Sequence, residues 1–72
     1  MDWDDARFFL AAARAGQLSA AARRLGVDHA TVGRRISALE AALGARLLER
    51  RPTGCTPTRA GERFLEVAER ME

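Results

Sequence analysis

The sequence predicts a mainly α-helical fold with a small two-stranded hairpin before the last helix. Three observations predict it. Apolar residues recur at intervals of three and four along most of the 72 residues, which is the period of a helix with one buried face. Glycines follow the first three of these segments, as they do at helix C-termini. A turn containing proline and glycine then separates two short stretches, which indicates a hairpin.

The first helix is predicted over residues 3–15. Asp2 is the candidate N-cap, and the acidic residues that follow place negative charge in the first turn, where the helix dipole favours it. Gly16 is expected to end the helix. The predicted buried stripe consists of Trp3, Ala6, Phe9, Leu10 and Ala13.

A second, short helix is predicted over residues 20–25. Ser19 is its candidate N-cap, and Gly26 is expected to end it. Val27 is expected to be a buried anchor in the turn that follows, and Asp28 to cap the next helix. A short helix, a turn of about three residues and a longer helix form the helix-turn-helix pattern. Generic three-helix cores share this pattern.

The third helix, over residues 28–43, is predicted to have two different faces. Arg34 points almost directly away from the apolar stripe, at roughly 100° per residue, and its neighbours are small. A guanidinium among small side chains suits close approach to a negatively charged surface, such as the major groove of DNA. The apolar stripe recurs at spacings of four, three and four, and consists of Val32, Ile36, Leu39 and Leu43.

A hairpin and a fourth helix are predicted to complete the chain. Residues 47–50 are predicted as one strand and residues 55–57 as the return strand. A hairpin after a helix-turn-helix is a wing, so the predicted fold class is a winged helix-turn-helix with a three-helix core. Thr58 is the candidate N-cap of the fourth helix, in which Gly61 is expected to be tolerated. This helix has no stop signal, so we expect the sequence to end within it.

The distribution of charge favours a polyanionic partner. The formal net charge is only +2, but residues 23–59 carry eight arginines and three acidic residues. A basic middle between acidic ends is typical of a binding face. Cys55 is the only cysteine, which fits a reducing, cytoplasmic compartment. No apolar run approaches the roughly 18 residues that a membrane span needs, so no membrane partner is expected.

Six motifs follow one another in a fixed order. They are Phe8-Phe9, residues 16–22 (GQLSAAA), residues 25–27 (LGV), residues 34–44 (RRISALEAALG), residues 47–50 (LLER) and residues 58–61 (TRAG). In this order and spacing, over essentially the whole chain, they resemble the N-terminal DNA-binding domain of the LysR-type transcriptional regulators.

The resemblance implies a winged helix-turn-helix DNA-binding domain over residues 1–57 and the start of a linker helix over residues 58–72. In the family this linker helix pairs two subunits, so the implied assembly is a homodimer, with a homotetramer possible in the full-length protein. The family's effector-binding domain, which has two α/β lobes, is expected to lie beyond the last residue of this sequence.

The chain departs from the family pattern in its third helix and its wing. Asp28-His29 stands where the family usually has Ser-Gln, and since the Gln position commonly reads bases, a different base preference is implied. Gly33 replaces a serine, which removes a hydroxyl contact and weakens the helix locally. Cys55 and Pro57 replace apolar residues of the wing.

The predicted function is sequence-specific binding of double-stranded DNA. The third helix is expected in the major groove, with much of the base readout from His29, Thr31 and Arg34, and the wing on the backbone or minor groove. The predicted contact residues are Ser19, Asp28, His29, Ala30, Thr31, Arg34, Arg35, Arg50, Arg51 and Thr53.

Five of these residues have an open alternative. Arg34 can be a solvated arginine on its helix, and His29 can be an exposed residue at the helix start that reads no base. Ser19 can act solely as a helix cap. Arg35 can pair with an acidic residue of the first helix. Arg50 can pair with Glu40 or Glu49.

Other classes of function are less consistent with the sequence. There is no Gly-rich phosphate loop, no Ser/His/acid set and no paired carboxylates in a predicted pocket, so no enzymatic activity and no cofactor are expected. One histidine and one cysteine are too few for a metal site. The alternative is a winged-helix module that binds protein and not nucleic acid. Such a module is expected to have an apolar outer face on the third helix, where this chain has Arg34.

Overall fold

Four helices and one hairpin follow each other in the predicted order. The computed structural model describes residues 2–72. Its elements are α1 (Trp3–Ala15), α2 (Leu18–Leu25), α3 (His29–Leu43), β1 (Leu48–Arg51), β2 (Gly54–Pro57) and α4 (Arg59–Met71). The winged helix-turn-helix architecture is therefore confirmed. No helix within residues 2–72 combines the length and the hydropathy that crossing a bilayer requires.

Side-chain caps begin three of the helices, as predicted. The Asp2 side chain accepts a hydrogen bond from a first-turn backbone N–H of α1 at 3.0 Å. The Asp28 side chain accepts from a first-turn N–H of α3 at 2.8 Å, and the Thr58 side chain accepts from a first-turn N–H of α4 at 3.0 Å. Each acceptor satisfies an N–H group that has no partner within its own helix.

Ser19 is not the N-cap of α2, contrary to the prediction. The helix begins two residues earlier than expected, with Gln17 at the cap position and no side-chain cap. The earlier start places Leu18 against the hydrophobic core, and this burial explains why the helix extends to include it. Ser19 consequently lies in the first turn of α2 and is half-buried.

The core lies between the first three helices and is closed by α4. Phe9, Ile36 and Leu39 have no accessible surface. The ring of Phe64 in α4 meets the ring of Phe9 edge-on, with 5.5 Å between centroids. Arg14 of α1 holds the far end of α4. Its guanidinium pairs with the carboxylates of Glu69 at 3.2 Å and Glu72 at 2.7 Å.

Two residues of the predicted apolar stripes lie at the surface. Leu43 is 42% exposed, because the last turn of α3 projects beyond the core and residues 41–44 are all exposed. Trp3 is 37% exposed at the first residue of α1. In the same helix Ala12 is fully buried, whereas Ala13 is only half-buried.

The two strands form an antiparallel hairpin with a two-residue turn. Leu48 pairs with Pro57 at one end and Arg51 with Gly54 at the other. The backbone N–H of Cys55 donates to the carbonyl oxygen of Gly16 at 2.8 Å. The hairpin is therefore fixed to the connection between α1 and α2, as well as closed by its own ladder.

The start of α4 packs directly on the segment that leads into β1. The backbone N–H of Thr58 donates to the carbonyl oxygen of Leu47 at 3.0 Å, and its hydroxyl donates to the carbonyl oxygen of Arg46 at 2.6 Å. Gly61 is buried against the same strand entry, where a β-carbon would overlap the Leu47 carbonyl. The close approach of the two backbones thus requires a glycine at position 61, which sequence analysis had treated only as tolerated.

Candidate nucleic-acid interface

The starts of α2 and α3 meet the wing around one cleft of about 190 Å³. Four predicted contact residues line it, namely Ser19, His29, Arg50 and Arg51. No carboxylate lines it, so the charge in its wall comes from arginines alone, beside polar and apolar side chains. Gln17, Leu18, Pro52, Gly54 and Cys55 complete the lining. None of these five was a predicted contact residue, since the docking of the wing on the α1–α2 connection brings them together.

The outer face of α3 carries the predicted base-reading residues. His29, Ala30 and Arg34 are exposed, and Thr31 is half-buried. Nη2 of Arg34 donates to Oγ1 of Thr31 at 3.1 Å, one helical turn away. This hydrogen bond holds the guanidinium along the helix surface. Within residues 2–72 no carboxylate lies within ion-pair distance of Arg34, so no ion pair holds its guanidinium.

Asp28 is committed to capping α3. Its carboxylate accepts from the backbone N–H of Thr31 at 2.8 Å. This hydrogen bond is the main reason that the pKa of Asp28 is lowered from its ordinary value, with a smaller contribution from the charge of Arg34. The residue therefore stays ionised and places one negative charge beside the basic face.

Arg35 is held by the acidic residues at the start of α1. Its Nε donates to Oδ1 of Asp5 at 2.6 Å, and Nη2 lies 3.8 Å from Oδ2 of Asp2. The guanidinium also lies over the ring of Phe8, 5.2 Å from its centroid. The structure therefore shows the alternative in which Arg35 pairs with acidic residues of the first helix.

Arg50 also has partners within the protein. Nη2 donates to the carbonyl oxygen of Gly33 at 3.2 Å and to Oγ of Ser37 at 3.1 Å, and it lies 3.8 Å from Oε1 of Glu40. Arg51 and Thr53, by contrast, are exposed, and neither side chain has a hydrogen bond or an ion pair anywhere in residues 2–72.

Glu40 is an organising residue that was not among the predicted site residues. It is 8% exposed, and its Oε2 accepts from the backbone N–H groups of Leu47 and Leu48 at 2.8 and 3.2 Å. The available signal was its position four residues after Ile36, which places it on the buried face of α3. A carboxylate placed there needs hydrogen-bond donors, and the backbone entering the wing supplies them.

Cys55 is part of the core beneath the cleft. It is 6% exposed, its Sγ lies 3.6 Å from the carbonyl oxygen of Ala12, and burial raises the pKa of its thiol. Across residues 2–72, no three His, Cys, Asp or Glu side chains are grouped so that they could hold a metal ion.

Comparison with known proteins identifies the architecture. The family described as "Bacterial regulatory helix-turn-helix protein, lysR family" matches residues 3–62. The HTH-type transcriptional regulator TcbR of Pseudomonas sp. (strain P51) is 45% identical over 71 residues, which are 99% of this chain and 24% of TcbR. ClcR of Pseudomonas putida is 44% identical over 71 residues, with the same coverage of each chain. The chain thus spans about a quarter of the length of these relatives.

Solved structures agree with this assignment. The structure titled "Crystal structure of CbnR_DBD-DNA complex" superposes with a TM-score of 0.96 at 45% identity, covering 99% of this chain and 82% of that one. "Crystal Structure of BenM_DBD/catB site 1 DNA Complex" superposes with a TM-score of 0.94 at 30% identity, covering 99% and 79%. The chain belongs to the lysR family of bacterial regulatory helix-turn-helix proteins.

Proposed function

We propose that this chain binds double-stranded DNA sequence-specifically, as the DNA-binding domain of a bacterial transcription regulator. The proposal depends chiefly on the guanidinium of Arg34, which is exposed on the outer face of α3 among small or polar residues and forms no ion pair within residues 2–72. A helix with this surface fits the width of the major groove and can present hydrogen-bond donors to base edges. CbnR and BenM are each bound to DNA in the two similar solved structures, which supports the same partner here.

The proposed roles follow from position. Arg34, Thr31 and His29 read bases, and Ala30 allows close approach of the helix. Asp28 orients the first turn of this recognition helix, α3, through its cap. Arg35 and Arg50 have partners within the protein and are the weakest members of the predicted set.

Phosphate contacts are proposed for the cleft and the wing. Ser19 at the start of α2, Arg51 and Thr53 can contact the backbone on either side of the groove that α3 enters. Arg51 and Thr53 have no partner within residues 2–72 to give up, so binding DNA breaks no contact at either side chain. These contacts supply affinity and orientation, while α3 supplies specificity.

The assembly is proposed to be a homodimer through α4, and a homotetramer is possible for a longer chain. Val67 and Met71 are 50% and 52% exposed on this helix, which supports its pairing with a second copy. In such a dimer, two copies of α3 would enter major grooves about 34 Å apart or at a multiple of that distance. We propose that residues 1–57 form the DNA-binding unit, that residues 58–72 begin the linker, and that the protein acts in the cytoplasm.

A module that binds protein and not nucleic acid is the less favoured function. It would present an apolar outer face on α3, but Arg34 occupies that face and His29 lies at its start. The relatives identified here are named as transcriptional regulators.

Selection from a random DNA pool, followed by titration of the enriched duplex, tests the proposal. We expect one sequence family to be enriched, and fluorescence anisotropy to show affinity falling with salt by a slope of about 0.9 per phosphate contact. A matched titration with a random duplex measures specificity. Failure to enrich any sequence, together with binding that does not depend on salt, would overturn the proposal.

A further inference from the structure

Arg50 joins the wing to two successive turns of α3. Its Nη2 donates to the carbonyl oxygen of Gly33 at 3.2 Å and to Oγ of Ser37 at 3.1 Å. These two acceptors are four residues apart and therefore lie one above the other on the helix surface. Because one guanidinium nitrogen contacts both, the middle of β1 has a defined position along α3.

Glu40 provides a second attachment between the same two elements. Oε2 accepts from the backbone N–H groups of Leu47 and Leu48 at the root of the wing, while Oε1 lies 3.8 Å from Nη2 of Arg50. The root is thus held by one carboxylate oxygen, and the middle of the strand by the arginine. With a single attachment β1 could rotate about that point, whereas two attachments along the strand fix its angle to α3.

Arg51, the next residue, has the opposite environment. Successive side chains of a strand point to opposite faces, and the Arg51 side chain contacts no acceptor within residues 2–72. The side chain of Arg50 is 31% exposed, and its hydrogen bonds are made to acceptors within the protein. The two adjacent arginines therefore differ in role although they have the same charge.

We propose that Arg50 is a positioning residue, which holds the wing at a fixed angle to α3 and makes no phosphate contact of its own. This inference rests on the proposed function, because the angle matters only if α3 and the wing bind one duplex together. It assigns the phosphate contact at this part of the wing to Arg51. The loss of Arg50 would then weaken binding by misplacing the wing and would not remove a charge from the interface.

The salt dependence of DNA binding separates a positioning arginine from a contacting one. Arg50→Gln and Arg51→Gln remove the same charge from adjacent positions, and each is titrated with the enriched duplex at several salt concentrations. For Arg50→Gln we expect an affinity about 2- to 30-fold lower, the range typical of coupling between structural elements. Because a misplaced wing also weakens the phosphate contact of Arg51, the salt slope is compared in the Arg51→Gln background, where adding Arg50→Gln should leave it unchanged. For Arg51→Gln we expect the slope to fall by about 0.9.

Motion of the wing without DNA provides an independent measurement. We expect NMR order parameters of the backbone at residues 51–54 to fall in Arg50→Gln and to keep their wild-type values in Arg51→Gln, because only the first loses the attachment to α3. Ser37→Ala removes one hydrogen bond of Arg50 from an exposed position. It should lower the same order parameters by a smaller amount, even if Arg50→Gln does not fold.

Each outcome is decisive. A further fall of about 0.9 in the salt slope when Arg50→Gln is added to Arg51→Gln would show a phosphate contact by Arg50 itself and overturn the inference. Wild-type affinity in a folded Arg50→Gln, or unchanged order parameters in both Arg50→Gln and Ser37→Ala, would also overturn it. If the wild-type chain binds no DNA but the order parameters fall as expected, the proposed function fails while the attachment of the wing by Arg50 stands.

Discussion

The carbonyl oxygen of Leu47 occupies the space that a β-carbon on Gly61 would need. Leu47 leads into the wing and Gly61 lies in the first turn of α4, so this approach joins two elements that flank the hairpin. The backbone N–H of Thr58 donates to the same carbonyl oxygen at 3.0 Å, which draws the two segments together. A glycine at position 61 is thus a condition for docking α4 against the strand entry.

Gly61→Ala is therefore expected to destabilise the fold. Backbone atoms cannot move aside as flexible side chains do, so the cost should reach or exceed the roughly 1–3 kcal/mol that is typical of overpacking. The measurement is the free energy of unfolding from urea denaturation followed by circular dichroism.

Gly33→Ala is the matched control, because Gly33 is also a helical glycine. A β-carbon there would lie 3.6 Å from Nη1 of Arg50 and 3.9 Å from Cδ1 of Leu18, which are ordinary contacts. We expect it to stabilise the protein by about 0.5–1 kcal/mol through helix propensity. Equal effects of the two substitutions would contradict the close approach at position 61.

Leu39→Ala tests the assignment of the core. Leu39 has no accessible surface, so truncation should cost roughly 2–5 kcal/mol, a large part of the stability of a domain this small. Leu43→Ala, in the same helix but 42% exposed, should change stability by about 0.5 kcal/mol or less. Thermal unfolding measures both, and similar melting temperatures for the two variants would refute the burial pattern of α3.

Asp28→Asn should remove a pH-dependent part of the stability. The hydrogen bond from the Thr31 N–H lowers the pKa of Asp28 from 3.8, so the ionised carboxylate stabilises the fold above that pH. This contribution is lost as the pH falls through the lowered pKa. Asparagine caps helices comparably but does not titrate.

The difference in melting temperature between wild type and Asp28→Asn, measured from about pH 6 down to pH 2, should accordingly shrink as the pH falls. Because both proteins contain the other carboxylates, the titration of those groups cancels in the difference between the two melting temperatures. A difference that is constant over this range would mean that the cap does not depend on ionisation.

Arg34→Ala is expected to weaken binding to the enriched duplex by about 1–3 kcal/mol and to relax specificity at the base it reads. Arg7→Ala is the matched control, since Arg7 lies on α1 and pairs with Asp4 at 3.0 Å within its own helix. Anisotropy titrations at one salt concentration compare the two. Equal affinities would remove Arg34 from the interface.

Local patterns predicted the elements of this fold well, because helix ends and apolar periods are local properties. Asp28, Thr58 and Gly44 delimit helices through contacts with residues at most four positions away. The same approach failed at Ser19, where the packing of Leu18 against the core extended α2 past the better capping residue. It failed at Leu43 because periodicity does not show where a helix leaves the core.

The candidate site was only partly predictable, because charge and exposure do not reveal partners that are distant in sequence. Arg34 and Arg50 are both arginines on the predicted basic surface. Arg50 is 13 residues from Ser37 and reaches it only because the wing folds back on α3. The role of Glu40 and the requirement for glycine at position 61 depend on the same tertiary approach.

The hydrogen bond between the Cys55 N–H and the Gly16 carbonyl has a consequence for changes in chain length. Gly16 lies in the two-residue connection between α1 and α2, and a β-carbon on Gly54 would lie 2.6 Å from its carbonyl oxygen. One inserted residue at this connection would displace that oxygen and undock the wing. The exposed turn at residues 52–53 has no such hydrogen bond to any of residues 2–72, so the wing tip can lengthen without disturbing the helices.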